Sequence, residues 1–228
     1  MNINCESPLN EGFSFTLSVF IIFHMEKIIV LASHNKGKLR EFQEILKPFG
    51  YTVKSVKDYG HTEEPVEDGK TYHENAYIKA KFYFDALKMP VISDDSGIEI
   101  EALGEHYPGI YSARFADQIK DNPSDGYEKV NAYILEKLKG NPNRKASYHC
   151  TICLIEKDGK VYYFDGVCEG QITSEVTGTH GFGYDPIFKA DEGDSYFGLA
   201  SEDEKNKLSH RGKALEKLVA HLKEKEGN

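Results

Sequence analysis

Four short segments of the chain carry side chains that could act on a phosphorylated ligand. The first is the loop at 33–38 (Ser-His-Asn-Lys-Gly-Lys), which follows an apolar run and precedes residues with helical spacing. Amides at a helix N-terminus and the positive end of its dipole attract phosphate, and Lys36 and Lys38 add positive charge. The loop lacks the Walker A pattern, and a capped helix with solvated lysines would explain the same residues.

The second segment is Asp94-Asp95-Ser96-Gly97, which follows a short apolar run and reads as a turn. Two adjacent carboxylates are costly to bury unless a cation or a proton offsets their charge. Mg²⁺ suits such a site, because it takes one or two carboxylates and completes its shell with water and phosphate oxygens. A further carboxylate could come from Glu67 or from Glu74, although either could be a solvated acid, and a turn aspartate can instead bind nearby amides.

The third segment is the loop at 179–186 (Thr-His-Gly-Phe-Gly-Tyr-Asp-Pro). Glycines on both sides of Phe182 allow a close approach of the backbone and could present the ring to a planar ligand, with Asp185 in reach of the same site. A turn with a core aromatic would have a similar sequence.

The fourth segment is 204–212 (Glu-Lys-Asn-Lys-Leu-Ser-His-Arg-Gly), in which Ser209 is a candidate helix N-cap. His210 and Arg211 then lie in the first helical turn, where the dipole disfavours cations. Such local conflicts are most common at functional sites. A solvated basic cluster is the alternative.

Alternating strands and helices must position these segments. Strands are predicted over 27–32, 51–56, 90–93, 98–103, 146–156 and 160–170. Helices are predicted from the first loop to Gly50, over about 71–87, from Asn122-Pro123 to Gly140, and after Ser209. Asp158-Gly159 indicates a hairpin, and 171–208 is expected to be mostly loop, with a short strand or helical turn. The alternation predicts an α/β domain with two lobes around a cleft.

Composition narrows the class of protein. The chain has 228 residues, with 28 Lys and Arg against 37 Asp and Glu, and a net charge of −9. This acidity argues against a protein that wraps a nucleic-acid polymer or lies on anionic lipid. The sequence contains no linker or repeat, so one domain is expected.

Four cysteines are present: Cys5, Cys150, Cys153 and Cys168. Cys150 and Cys153 form a C-x-x-C pair, but the sequence has no second such pair that would complete a zinc site. Cys150 and Cys153 lie in a predicted strand, where residues three apart point to opposite faces. We therefore expect reduced, buried thiols in a cytosolic protein.

Residues 1–24 differ from the rest of the chain. Their apolar run at 13–23 is too short to span a bilayer, for which about 20 residues are needed. The segment also lacks the Lys or Arg of a signal peptide. We expect Met25 to be the natural start, 1–24 to be an upstream or non-native leader, and 25–228 to form the single domain.

Taken in order, the four segments resemble the inosine/xanthosine triphosphate pyrophosphatase family, the Ham1-like dITP/XTP pyrophosphatases. The resemblance extends over about 27–222. It includes 67–71 (Glu-Asp-Gly-Lys-Thr), 74–80 (Glu-Asn-Ala-Tyr-Ile-Lys-Ala), 108–114 (Pro-Gly-Ile-Tyr-Ser-Ala-Arg) and 182–188 (Phe-Gly-Tyr-Asp-Pro-Ile-Phe). Ser33 and Asp68 stand where the family more often has Thr.

The resemblance implies an activity and a set of site residues. The activity is Mg²⁺-dependent hydrolysis of ITP, dITP and XTP to a nucleoside monophosphate and pyrophosphate, which cleanses the nucleotide pool. Asp95 would bind Mg²⁺ and activate water, with Glu67 as second ligand and Glu74 as its alternative. The remaining substrate-binding positions implied are Ser33, His34, Asn35, Lys36, Gly37 and Lys38 for the triphosphate, Ser96, the pocket residues Phe182, Gly183, Tyr184 and Asp185, and Lys205, His210 and Arg211.

The resemblance also implies an architecture: a long twisted mixed β-sheet with flanking helices, divided by the substrate cleft, in a cytoplasmic homodimer. Two rivals stay open from sequence. One is a Maf-like pyrophosphatase acting on other nucleotides, which the segments at 182–185 and 209–211 argue against. The other is a nucleotide-binding protein without turnover, which would not need the paired acids at 94 and 95.

Overall fold

The computed structural model describes residues 27–115 and 126–226. These residues form one seven-stranded sheet, in the order β2-β1-β3-β4-β5-β6-β7. The strands are β1 (Lys27–Leu31), β2 (Tyr51–Ser55), β3 (Val91–Ile100), β4 (Lys145–Ile155), β5 (Val161–Ile172), β6 (Phe188–Ala190) and β7 (Ser195–Tyr196). The helices are α1 (Lys36–Leu46), α2 (Tyr72–Leu87), α3 (Gly126–Lys137), α4 (Glu202–Leu208) and α5 (His210–Glu226).

The sheet is mixed, as the family resemblance implied. Strand β1 pairs in parallel with β2 and β3, whereas the remaining neighbours pair antiparallel. The long hairpin of β4 and β5 turns at Asp158-Gly159, which confirms the hairpin prediction. The fold prediction of a mixed sheet with flanking helices is therefore confirmed.

Apolar clusters cover the sheet at both ends of its long strands. Near one end, α1 and α5 pack on one face and α2 packs on the other. Near the other end, α3 buries Val130 and Ile134 against β3 to β6. Because β3 passes through both regions, its polar centre at 94–97 lies between two apolar cores.

The predicted turn at 94–97 is wrong, because β3 is continuous from Val91 to Ile100. Asp94 and Asp95 pair across the sheet with Ile152 and Thr151 of β4. A Cβ atom at Gly97 would lie 2.1 Å from the carbonyl oxygen of Gly109, so this glycine permits a close approach within the strand rather than a turn. The predicted strand at 98–103 ends at Ile100 and continues as a 3₁₀ helix.

Other local predictions have mixed outcomes. The segment 171–208 is more regular than expected, since it contains β6, β7 and helix α4, whose start is fixed by a capping box between Ser201 and Glu204. The Ser209 hydroxyl accepts from the amide of Gly212 at 3.0 Å, which confirms its predicted capping role. The predicted leader at 1–24 and the helix start at Asn122-Pro123 lie outside the described residues.

Three of the four cysteines lie within the described residues. Cys150, Cys153 and Cys168 are free and buried, and the first two belong to clusters on opposite faces of the sheet, as predicted. Cys5 lies outside the described residues. No helix within 27–115 or 126–226 is long and apolar enough to cross a membrane.

Candidate active site

The loop at 33–38 ends in a capped helix N-terminus. The side chain of Asn35 accepts hydrogen bonds from the amides of Gly37, at 2.8 Å, and Lys38, at 3.1 Å. The Ser33 hydroxyl accepts from the amide of Asn35 at 3.2 Å. These contacts fix the start of α1 shortly after the carboxyl end of β1, and the Lys38 side chain reaches Asp94 in the middle of β3.

One face of β3 carries Asp94 among cations. The Asp94 carboxylate lies 2.9 Å from Lys38 Nζ and 3.3 Å from Arg211 Nη2. Arg211 also contacts Glu41 through Nη1 and Ser96 through Nη2, each at 3.3 Å. Burial alone would raise the pKa of Asp94, but the charges of Lys38 and Arg211 hold it below its usual value. Asp94 is therefore a permanent anion that anchors two cations.

The opposite face of β3 carries Asp95 against α2. Lys79 Nζ lies 3.1 Å from the Asp95 carboxylate and 2.9 Å from that of Glu67, and Asn75 donates to Asp95 at 3.3 Å. Burial raises the pKa of Asp95, and the nearby Glu67 acts in the same direction, against the lowering effect of Lys79. A buried carboxylate of raised pKa is suited to accept a proton from water.

The two carboxylates around Lys79 fit a Mg²⁺ ion whose remaining ligands come from phosphate and water. No group of three or more His, Cys, Asp or Glu within the described ranges could hold a metal by itself. Mg²⁺, however, needs only one or two protein carboxylates when phosphate oxygens and water supply the rest. Glu67 and Asp95 both contact the ammonium group of Lys79, whereas Glu74 accepts a hydrogen bond from the amide of Lys70. This geometry favours Glu67 over Glu74.

Two neighbouring cavities open at this site. The larger is a cleft of about 670 Å³, and seven predicted site residues line it: Asn35, Gly37, Lys38, Phe182, Lys205, His210 and Arg211. The smaller, of about 110 Å³, is lined by residues that include Ser33, Lys38, Glu67, Lys79 and Asp94. Lys38 lines both, so the two cavities lie on either side of one lysine side chain.

A loop held by Asp185 presents Phe182 to the cleft. The Asp185 carboxylate accepts from the amide of Phe182 at 2.7 Å and pairs with Lys205 Nζ at 2.5 Å. Gly181 has φ +76°, and a Cβ there would lie 2.2 Å from Asp185 Oδ2. The Phe182 ring is 60 % exposed, with Lys205 Nζ 4.7 Å from its centroid. An exposed ring and a fixed ammonium group can receive a planar base.

His210 forms an inner wall of the cleft. Its ring stacks on Tyr148, with centroids 4.7 Å apart and planes at 6°. Burial, with the neighbouring charge of Arg211, holds the pKa of His210 well below its usual value. The ring is therefore neutral at physiological pH.

The comparisons with known proteins decide the family. The model of the Ham1 family matches residues 29–221. The chain belongs to the Ham1 family. It is 42 % identical over 196 residues to the dITP/XTP pyrophosphatase of Desulfotalea psychrophila, covering 86 % of this chain and 85 % of that protein. It is 44 % identical over 194 residues to the dITP/XTP pyrophosphatase of Bacillus subtilis, covering 84 % and 95 %.

Solved structures of the Ham1 family agree. The Staphylococcus aureus Ham1 protein superimposes with a TM-score of 0.78 at 35 % identity, covering 87 % of this chain and all of that one. The HAM1 protein of Coxiella burnetii gives 0.78 at 36 % identity, covering 87 % and 99 %. The predicted family and its fold are therefore confirmed.

Not every predicted site residue of this Ham1 protein lines the two cavities. Asp95, Ser96 and Asp185 stand just behind them, each bonded to a lining residue: Lys79, Arg211 and Lys205. The other predicted residues absent from the cavity walls are His34, Lys36, Gly183 and Tyr184. Tyr184 is buried, and its hydroxyl donates to the carbonyl of Ser112 at 2.6 Å, so its side chain supports the loop from within.

Sequence reasoning assigned no role to Glu41, Lys79 or Tyr148. Lys79 lies four residues after Asn75 on α2, a spacing that places both side chains on one helical face. That spacing could have linked Lys79 to the acidic centre. Nothing in the sequence near Glu41 or Tyr148 indicates their distant partners Arg211 and His210.

Proposed function

We propose that the protein hydrolyses deaminated purine nucleoside triphosphates, such as ITP, dITP and XTP, to a nucleoside monophosphate and pyrophosphate, with Mg²⁺ as cofactor. The observation that carries this proposal is the environment of Asp95. Its carboxylate is buried, has a raised pKa and contacts Lys79, which with Glu67 and Lys38 lines the smaller cavity. The names of relatives that cover most of the chain support the substrate class.

The triphosphate would lie between the N-terminus of α1 and the cations of the centre. Lys38 lines both cavities, Lys79 lines the smaller one and Arg211 the larger one, so each phosphate group could meet a fixed positive charge. Each of these cations is already paired with a carboxylate, so a phosphate group would share the cation with Asp94, Glu41, Asp95 or Glu67.

Asp95 would act as the base. It would accept a proton from the water that attacks the α-phosphorus, while pyrophosphate leaves with the electrons of the broken P–O bond. Asp95 and Glu67 would hold Mg²⁺, which when bound neutralises phosphate oxygens and the charge that develops on them. Lys79 contacts both carboxylates, so their oxygens lie near the same point.

The purine would stack on Phe182, with Lys205 as the donor to its 6-oxygen. Lys205 is held in place by Asp185 and lies over the Phe182 ring. Adenine carries an amino donor at the same position, so it would face a donor rather than supply an acceptor. Mispaired buried polar groups can discriminate by about 10⁴.

The family resemblance supports two further proposals: that the protein acts as a homodimer, and that it works in the cytoplasm. Light scattering coupled to gel filtration tests the first, with a mass of twice the 25.8 kDa of the chain expected. Fractionation of cells of the source organism, with immunodetection, tests the second.

The direct test of the activity is pyrophosphate release from ITP, XTP, dITP, GTP, ATP and dTTP, each with and without Mg²⁺. Release from ITP, dITP and XTP that depends on Mg²⁺ would support the proposal. A preference for dTTP would favour a Maf-like activity, and binding without release from any substrate would favour a nucleotide-binding protein.

A further inference from the structure

The segment that carries Glu67 is held mainly from one side. This acidic loop, residues 61–70, contains no strand or helix, and Val66 at its centre is 78 % exposed. The ends of the loop are bound to α2. The Tyr83 hydroxyl donates to the carbonyl of Glu63 at 2.5 Å, and the amide of Gly69 donates to Asn75 at 2.9 Å.

Two side-chain contacts hold the middle of the acidic loop within the described part of the chain. One joins Glu67 to Lys79, which again belongs to α2. The other joins Glu64 Oε1 to His34 Nδ1 at 3.1 Å, and His34 belongs to the loop at 33–38 that leads into α1. The His34–Glu64 pair therefore links the acidic loop to residues 33–38, the phosphate-facing loop.

The His34 side chain is largely buried. Its side chain is only 17 % exposed, against 67 % for Glu64, and its Nε2 is buried without a hydrogen-bond partner among the described residues. The ring lines neither cavity. Pro65 restricts the backbone of Glu64 to extended conformations, which reduces the freedom of the loop at the point of contact.

The Glu67–Lys79 contact would weaken if a divalent cation bound to Glu67. A divalent cation at Glu67 and Asp95 would compete with the ammonium group of Lys79 for the same carboxylate oxygens. The contact from His34 to Glu64 involves neither of these carboxylates, so a cation at Glu67 and Asp95 would not compete for it.

We propose that His34 and Glu64 are positioning residues, which hold the acidic loop against the phosphate-facing loop and so raise the affinity of Glu67 and Asp95 for a divalent cation. The inference rests on the proposed function, because it assumes the metal site at these two carboxylates. Apparent affinity falls with the fraction of molecules in the competent conformation. A partly exposed pair of this kind changes the equilibrium constant between the competent and open loop by about 2- to 5-fold, and the competent fraction by up to the same factor.

The test compares His34→Ala, Glu64→Ala and the double variant with the matched control Glu63→Ala. The control removes the same charge one residue earlier, and the Glu63 side chain forms no hydrogen bond or ion pair in the described structure. Hydrogen exchange of the metal-free protein gives the first measurement. We expect amides at 62–68 to exchange about 2- to 5-fold faster in both single variants, with no further increase in the double variant and no change in the control.

Calorimetric binding of Mn²⁺ without nucleotide gives the second measurement. The dissociation constant should rise in His34→Ala and Glu64→Ala, by up to about 5-fold relative to Glu63→Ala. Equal effects of Glu64→Ala and Glu63→Ala would overturn the inference, as would additive effects in the double variant.

A fifth variant, Glu67→Gln, separates two kinds of failure. If Glu67→Gln weakens Mn²⁺ binding while His34→Ala and Glu64→Ala do not, the metal site stands and the inference is overturned. If Glu67→Gln has no effect on Mn²⁺ binding, the proposed metal site itself is wrong and the inference fails with it.

Discussion

The two faces of β3 place adjacent carboxylates in opposite electrostatic environments. On one face, Lys38 and Arg211 keep the pKa of Asp94 below its usual value despite burial. On the other face, burial raises the pKa of Asp95 despite the nearby ammonium group of Lys79. The alternation of side chains along a strand is what separates them. Neighbours in sequence can therefore take different tasks: Asp94 anchors cations, and Asp95 can exchange a proton.

Removing the Asp95 carboxylate breaks the reactive face. Asp95→Asn should lower turnover of dITP by at least about 1000-fold, because the base is lost while the size of the side chain is kept. Binding of a non-hydrolysable dITP analogue without Mg²⁺ should change by no more than about 3-fold, since the cations on the other face are intact. Stopped assays and calorimetry measure the two quantities. Near-normal turnover would show that Asp95 is not the base.

Removing the Arg211 guanidinium breaks the anchoring face. Arg211→Met should lower the free energy of unfolding by about 3 kcal/mol, because Asp94 and Glu41 lose a buried partner. Urea unfolding without ligand measures this loss. Lys207→Met, which removes an exposed cation from α4, serves as the control and should change stability by less than about 0.5 kcal/mol. A similar loss in both variants would contradict the anchoring role.

Truncating Phe182 tests the base-binding end of the cleft, away from both faces of β3. Phe182→Ala should raise KM for dITP about 10-fold, because stacking of a base on an aromatic ring is worth roughly 1–3 kcal/mol. The turnover number should change much less, and Phe182→Tyr should restore KM. An unchanged KM in Phe182→Ala would place the purine elsewhere.

His210 provides a smaller, pH-dependent test of the anchoring side. The pKa of His210 is depressed in the folded protein, so below about pH 6.5 its imidazole is protonated in the unfolded chain but stays neutral in the folded one. The free energy of unfolding therefore decreases as the pH is lowered. Between pH 6.5 and 5, the wild type should lose about 1 kcal/mol per pH unit more than His210→Gln. Urea unfolding at pH 7, 6 and 5 provides the comparison, and parallel pH profiles would contradict a buried neutral ring.

Much of this arrangement was predictable from the sequence, and the exceptions have a common cause. The loop after β1, the hairpin at Asp158-Gly159 and the Ser209 cap depend on local propensities, and they appear as predicted. The segment 94–97 was misread as a turn because Asp, Ser and Gly favour turns locally. Its strand is stabilised by pairing with β4, and its carboxylates contact Lys38, Lys79 and Arg211, all of which are far away in sequence.

The same limit applies to the site. Motif residues such as Lys205 and Arg211 could be named from sequence, and they line the cleft. Glu41 could not, because its significance comes from a contact with Arg211 across 170 positions of chain. The position of His34, turned toward Glu64 rather than into a cavity, was equally invisible.

The division of work between the two faces is tested most directly by measuring turnover and stability together for Asp94→Asn and Asp95→Asn. We expect the effects to cross. Asp95→Asn should lose at least about 1000-fold in turnover and stay within about 1 kcal/mol of the wild type in unfolding free energy. Asp94→Asn should lose about 3 kcal/mol of stability, while its folded fraction keeps turnover within about 10-fold. Parallel losses of turnover and stability in the two variants would contradict the account.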